Sequence, residues 1–257
     1  MAGILIVTFI GLILGSFATA LSYRIPREQS IITKTRSECT SCGRKLTAID
    51  LIPIFSWLFL RGKCRTCKSK IGIRYPLIEL GTVSLCLLFY YMYGFSFNVW
   101  PMYLLAPMVV SMIAIDLEYK IIPDSLNFSV LLLGILLFLT NASLYASPIS
   151  FAMDNGAYLW GGLAMYGLGM LVFRQIAMFI MKREPMGLGD IKLFAAIGVW
   201  LGTSLEAFSL FLFVSGLSGI ILAIIWKYEK GEREFPFGPS IIVGFITTMC
   251  VYPIVYL

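Results

Sequence analysis

Two aspartates and four cysteines stand out by their chemistry. Asp116 lies in Ile115-Asp116-Leu117-Glu118-Tyr119-Lys120-Ile121-Ile122-Pro123-Asp124, and Asp190 closes Gly187-Leu188-Gly189-Asp190 ahead of Ile191-Lys192. Both motifs abut strongly apolar stretches, where a carboxylate is costly and therefore points to function. Two carboxyls held close cannot both ionise, so one keeps a proton while the other acts as base. The base takes a proton from water, which attacks a peptide carbonyl, and the protonated partner hydrogen-bonds the developing oxyanion. That chemistry needs neither a metal nor a histidine, and the chain has no histidine. Ser-His and Cys-His nucleophilic pairs, HExxH sites and His-ligated metals are thereby excluded.

Each aspartate also has a plainer reading. Asp190, after Gly-x-Gly, suits the N-cap of the helix that follows, as Asp124 suits that of another. Asp116 and Glu118 suit solvated interfacial acids balanced by Lys120. The paired glycines favour the dyad, because they let backbone approach closely at the membrane boundary, which a cap alone does not need.

The cysteines form Cys39-Thr40-Ser41-Cys42 and Cys64-Arg65-Thr66-Cys67, two CxxC knuckles separated by 21 residues. This is the spacing of a Cys₄ structural zinc site, in which four thiolates close a tetrahedral ion and leave no position for water. Gly43 and Lys63 fit the knuckle turns. Two disulfides are the alternative, disfavoured if the segment is cytoplasmic, where thiols stay reduced. Redox chemistry is weaker still, for want of a thioredoxin-like context. Cys86 and Cys250 fall within apolar stretches and read as small core residues, not ligands.

The elements that must position these groups are membrane helices. Of 257 residues, 59% are hydrophobic and 13% charged, far from the soluble average of about half apolar and a quarter charged. At about 20 residues per crossing, the apolar stretches mark eight spans: 3–22, 76–93, 100–115, 125–141, 156–180, 191–202, 207–226 and 238–257. Residues 191–226 are read as two spans, parted by Gly202-Thr203-Ser204-Leu205-Glu206. Ala18-Thr19-Ala20 has the form of a signal cleavage site, but the basic run follows the first span instead of preceding it, so that span is read as a retained helix. The expected fold is therefore an all-α polytopic membrane protein of about eight helices: a first helix (1–22), a small zinc-knuckle insert (23–75) and a transmembrane core (76–257).

Twelve of the 20 basic residues lie in 23–75, and Lys120, Arg174, Lys182, Arg183, Lys192, Lys227, Lys230 and Arg233 fall in or near loops on the same side. Loops 94–99, 142–155 and 203–206 contain none. The positive-inside rule then places the N-terminus outside, and the insert and both aspartates toward the cytoplasm. The basic excess reads as a topology signal, helped by anionic lipid, and requires no nucleic acid.

Taken together, these motifs resemble the type IV prepilin peptidases, membrane aspartic proteases of the GxGD class. The resemblance runs in order through Gly15-Ser16-Phe17, Tyr23-Arg24-Ile25-Pro26-Arg27, both CxxC pairs, residues 53–64 (PIFSWLFLRGKC), Arg74-Tyr75-Pro76-Leu77-Ile78-Glu79, the Asp116 motif, Gly187-Leu188-Gly189-Asp190-Ile191-Lys192-Leu193 and Pro236-Phe237-Gly238-Pro239. It implies that Asp116 and Asp190 are the catalytic pair. The implied substrates are prepilins and pseudopilins of pilus, secretion or DNA-uptake systems, cut after a glycine at the cytoplasmic face of a bacterial inner membrane. Many members also N-methylate the new N-terminus with S-adenosylmethionine, a function linked to the cysteine insert. Thr19 stands where the family usually has asparagine, losing an amide donor and acceptor, and Thr40 stands where the first knuckle usually has proline.

Glu79 reads either as facing substrate or cofactor or as an interfacial acid at a helix start. Lys192 either tunes Asp190 or snorkels to the interface. The Pro236–Pro239 turn either shapes a cleft beside the dyad or simply opens a helix. Two other classes of function compete: a proton- or cation-coupled transporter using the two carboxylates, and a non-enzymatic adaptor whose knuckle binds a partner. Transport favours mid-membrane acids and repeated halves, and neither is visible here.

Overall fold

The computed structural model describes residues 2–30, 36–144, 147–182, 184, 186–232 and 234–254, without the side chains of 148, 149 and 152–154. Lys34, Arg183, Arg233 and the last three residues of the span read at 238–257 lie outside the described residues. Helices dominate: α1 (Ala2–Arg24), the short α2 (Phe55–Phe59), α3 (Arg74–Tyr93), α4 (Trp100–Tyr119), α5 (Asp124–Ala142), α6 (Pro148–Met181), α7 (Leu188–Leu201), α8 (Leu205–Lys230) and α9 (Gly238–Val251). Every apolar stretch read from the sequence carries a helix. Among the described residues, six of them are long and apolar enough to cross a membrane: α1, with the short turn that follows it, α3, α4 with the turn before it, α5, α6 from Asn155 onward, and α8. At 14 residues each, α7 and α9 span only about 21 Å, short of a hydrocarbon core of about 30 Å. Helix α6 starts eight residues before its apolar stretch.

The helices stop where the backbone turns left-handed. Lys120 (φ 54°), Lys182 (φ 54°) and Gly231 (φ 68°) each follow the last helical residue and return an N–H to a carbonyl of the final turn, the usual αL ending. Gly202 (φ 69°) likewise separates α7 from α8, so 191–226 is two helices.

The chain forms two compact units. The first holds the residues up to Ser96 together with Met102–Ile115. Here α1 and α3 run antiparallel in close contact, with Gly3 against Tyr90, Gly11 against Val83 and Gly15 against Glu79. Arg74 Nη2 donates to the Ser22 carbonyl at 3.0 Å, tying the start of α3 to the end of α1, and Ser111 Oγ of α4 donates to the Ala18 carbonyl at 3.1 Å. Between α1 and α3 lies the insert, with α2 and the two cysteine knuckles.

The second unit holds Phe97–Pro101 and Asp116–Leu257. Its centre is α7, packed on α5, α6 and α9. From Leu193 to Leu201 it is buried at every position but Ala195, as a helix apolar on all sides should be. It meets α6 with backbone nearly touching: a Cβ at Gly162 would lie 2.1 Å from the Gly198 carbonyl oxygen. Only glycine fits there, and paired small residues are how membrane helices pack this closely. Trp200 Nε1 donates to the Val130 carbonyl of α5 at 3.0 Å, and Lys192 pairs with Asp124 at 2.7 Å at the other end of the same contact.

Candidate active site and metal centre

Asp116 occupies the last turn of α4 and is 4% exposed. Its Oδ2 accepts the backbone N–H of Gly238 at 2.7 Å. That N–H belongs to the first turn of α9, where it has no partner within the helix. A Cβ at Gly238 would stand 2.8 Å from the same oxygen, so the approach requires glycine. The Pro236–Pro239 turn thus both opens a helix and holds Asp116.

Asp190 is the third residue of α7, and its Oδ2 accepts the Gly187 N–H at 3.2 Å. It is therefore not the N-cap, a place taken by Gly187; the carboxylate reaches back from inside the first turn, which favours an acid. Asp124 is not a cap either: Pro123 holds that position, since proline's fixed φ and the extended conformation found there suit the residue before the helix. Lys192 pairs with Asp124 instead of reaching Asp190.

Ile122 joins the two aspartates. Its Cδ1 lies 3.1 Å from a Cβ built on Gly238, and its carbonyl oxygen 3.2 Å from one built on Gly189. The backbone beside Asp190 and the backbone bonded to Asp116 thus press on one residue of the α4–α5 connection. The close backbone approach expected of the paired glycines is present at Gly189.

Two buried side chains hold the turn before Asp190, and sequence reasoning missed both roles. Asn127 of α5, 4% exposed, donates Nδ2 to the Gly189 carbonyl at 3.1 Å. Arg174 of α6, 8% exposed, donates Nε to the Met186 carbonyl at 3.1 Å and pairs with Glu184 at 3.3 Å. The available signal is polarity inside apolar stretches: Asn127 within 125–141, and Arg174 within 156–180, where it reads as a topology charge. Gly238 was visible only as part of a turn.

In the first unit the sulfurs of Cys39, Cys42, Cys64 and Cys67 all lie within 4.8 Å of one another. Four sulfurs about 2.3 Å from a tetrahedral ion stand roughly 3.8 Å apart, so the set fits one such ion. The described cysteines form no disulfide. Each knuckle is the same turn: the Cys39 N–H donates to the Arg44 carbonyl and Cys64 N–H to Ser69, while Gly43 N–H returns to Cys39 and Lys68 N–H to Cys64. Gly43 (φ 68°) and Lys68 (φ 57°) take the left-handed position in their respective knuckles. Thr40 sits in the first without disturbing it. The Cys42 and Ser41 N–H groups draw the Cys39 thiol down to about 6, while Ser69 lowers Cys67. Cys86 and Cys250 lie outside the cluster; Cys86 is buried in the core, but Cys250 is exposed on α9, because it falls on the outward side of that helix.

Asp50 locks the two knuckles together, accepting Arg44 Nη2 at 2.7 Å and Arg65 Nε at 2.8 Å with its side chain 4% exposed. Burial alone pushes its carboxyl up, but the Arg65, Thr47 and Arg44 donors outweigh that and hold it well below the usual carboxylate range.

Residues 9–93 match the Bacterial Peptidase A24 N-terminal domain, and residues 103–224 match the type IV leader peptidase family. A prepilin leader peptidase/N-methyltransferase of Neisseria gonorrhoeae is 34% identical, over 91% of this chain and 86% of its own length. The chain belongs to the type IV leader peptidase family. A type 4 prepilin-like proteins leader peptide-processing enzyme of Escherichia coli O78:H11 is 33% identical, over 93% of this chain and 90% of its own. A prepilin leader peptidase/N-methyltransferase of Stutzerimonas stutzeri is 30% identical, over 95% and 89%. No solved structure matches the chain. As a member of this family the chain is a membrane peptidase, and the transporter reading finds no support in these matches.

Proposed function

We propose that Asp116 and Asp190 are the catalytic dyad of an aspartic endopeptidase that removes the leader peptide of type IV prepilins and pseudopilins. The observation that carries this reading is the contact of Ile122 with both Gly189 and Gly238, which brings together two acids 74 residues apart in sequence. One carboxylate takes a proton from water, and the resulting hydroxide adds to the scissile carbonyl carbon. The protonated partner hydrogen-bonds the oxyanion, and a proton passes to the leaving nitrogen as the C–N bond breaks. The Gly238 and Gly187 N–H groups orient the two carboxyls throughout. The charge pattern supports an N-terminus outside a bacterial cytoplasmic membrane, with the insert and the dyad toward the cytoplasm.

The four-cysteine cluster reads as a structural zinc site, since all four ligands are thiolates and none leaves an open position. The relatives' names support a second step, N-methylation of the new N-terminus, for which S-adenosylmethionine supplies an electrophilic methyl group.

The test is cleavage of a purified prepilin by the detergent-solubilised chain, with products identified by mass spectrometry. Asp116→Asn and Asp190→Asn should each lower the rate by about 10²–10⁴-fold while leaving helix content and metal content unchanged. Undiminished cleavage by either variant would remove that residue from the dyad.

A further inference from the structure

The peptidase reading leaves three motifs of the first unit unused: Gly15-Ser16-Phe17, the run 53–64, and Arg74 to Glu79. They converge on one carboxylate. Glu79 Oε2 accepts the Ile54 N–H at 2.6 Å, and Gly15 faces it so closely that a Cβ there would stand 2.9 Å from Glu79 Cα. Ile54 itself is held at φ 63°, ψ −53°, with the Phe55 N–H bonded to the Pro53 carbonyl at 2.6 Å. A tight turn of this kind at a β-branched residue is costly, and such strain gathers where a site is being shaped. Here it presents the one N–H that Glu79 accepts. Among the described residues Glu79 has no cationic partner, and its second oxygen makes no hydrogen bond. That oxygen is not among the buried unpartnered atoms and so stays open to solvent, free to meet a cation that enters beside it.

Glu79 lines a cavity of about 620 Å³ enclosed by α1, the start of α3 and the insert. That volume is typical of small-molecule sites, which run from about 300 to 1,000 Å³. Its walls offer three chemistries. Tyr23 and Trp57 present aromatic surface, Glu79 and Glu38 negative charge, and Arg36 a guanidinium group, while Arg44 and Arg65, also in the wall, are paired with Asp50. The Trp57 ring is fixed in place by its own Nε1–H, which donates to the Ile71 carbonyl at 3.1 Å. Thr19 also lines the cavity, and so do Cys39 and Cys64 of the metal cluster. A ligand that answers all three walls carries a flat aromatic ring, a positive centre and a carboxylate.

S-adenosylmethionine carries those three groups as adenine, sulfonium and the methionine carboxylate. We infer that this cavity is its binding site, with Glu79 recognising the sulfonium charge, Trp57 or Tyr23 stacking on the adenine, and the metal-bound knuckles forming a wall. The inference rests on the methyl-transfer reading and adds a location and a charge-reading residue to it.

Calorimetric titration of S-adenosylmethionine and of S-adenosylhomocysteine into the zinc-loaded, full-length chain tests it. The two ligands differ by one methyl group and the positive charge on sulfur. The wild type should prefer the charged ligand, and Glu79→Gln, which keeps an acceptor for the Ile54 N–H, should lose about tenfold in affinity for it and most of the preference. Prepilin cleavage and metal content of the same preparation report its folding. Trp57→Leu should weaken both ligands alike, since both carry adenine. Binding and methyl transfer that survive Glu79→Gln with the preference intact would overturn the location while leaving the methyl-transfer reading standing. A wild type that cleaves prepilin but neither binds S-adenosylmethionine nor adds a methyl group would overturn the reading and the inference together.

Discussion

Gly189 offers its carbonyl to Asn127, whose side chain is 4% exposed, across a partly buried contact. Asn127→Ala removes that bond, a loss of about 0.5–1.5 kcal/mol, and it frees the turn that sets the position of Asp190. The expected result is a kcat lower by about 10- to 100-fold with KM nearly unchanged, read from steady-state prepilin cleavage; a change in KM alone would place Asn127 at the substrate instead. The two aspartates proposed as the pair are legible in the sequence because an acid beside apolar stretches is conspicuous by type. Asn127, Arg174 and Gly238 are not, because their contribution depends on which backbone group each one meets after folding. Asn127 acts on a residue 62 positions away and Gly238 on one 122 positions away, distances over which no spacing rule operates. Lys192 shows the converse: its nearness to Asp190 in sequence suggested tuning, yet its ammonium turns to Asp124.

Among the elements, α7 places the second aspartate, and its contact with α6 is backbone against backbone. With the Gly162 carbonyl oxygen 2.3 Å from where a Gly198 Cβ would stand, Gly198→Ala must push the helices apart. A cost of about 1–3 kcal/mol follows from overpacking of this kind, and Asp190 would move with its helix. Thermal unfolding of the solubilised variant should show a lower midpoint, and cleavage should fall although no dyad residue has changed; a midpoint equal to wild type would mean that the contact yields more easily than its geometry implies. The apolar stretches foretold each long helix because hydropathy sums over many residues and tolerates local exceptions. The true length of α6 escaped that sum, since its first eight residues precede the apolar stretch. The register of α6 on α7 escaped it as well, because glycine carries almost no hydropathy signal and its meaning here is steric.

On the proposed reading the chemistry is divided between the two units: the four-cysteine cluster and the cavity beside it belong to the first, Asp116, Asp190 and the side chains that hold them to the second. Stripping the metal should therefore act unequally on the two activities. Chelation is expected to remove one metal ion per chain, to open the Lys- and Arg-rich insert to trypsin, and to abolish S-adenosylmethionine binding, while cleavage falls by a smaller factor; equal loss of both activities would show that the units depend on each other. Asp50 sets how the insert responds to acid. Its carboxyl is held below the usual range, so the stability it contributes is complete above its unfolded value near 4 and is lost as pH falls through the lower folded value.

A helix enclosed as α7 is, by α5, α6 and α9, takes its depth from protein and not from lipid. With Asp190 in the proposed dyad, the cutting point behaves as the zero mark of a ruler fixed inside the enzyme. A thicker or thinner bilayer slides a substrate helix relative to the lipid headgroups but leaves the zero mark where the neighbouring helices put it. The choice of peptide bond is accordingly counted along the substrate from the enzyme's own frame, and fidelity is insulated from the composition of the membrane in which both are embedded.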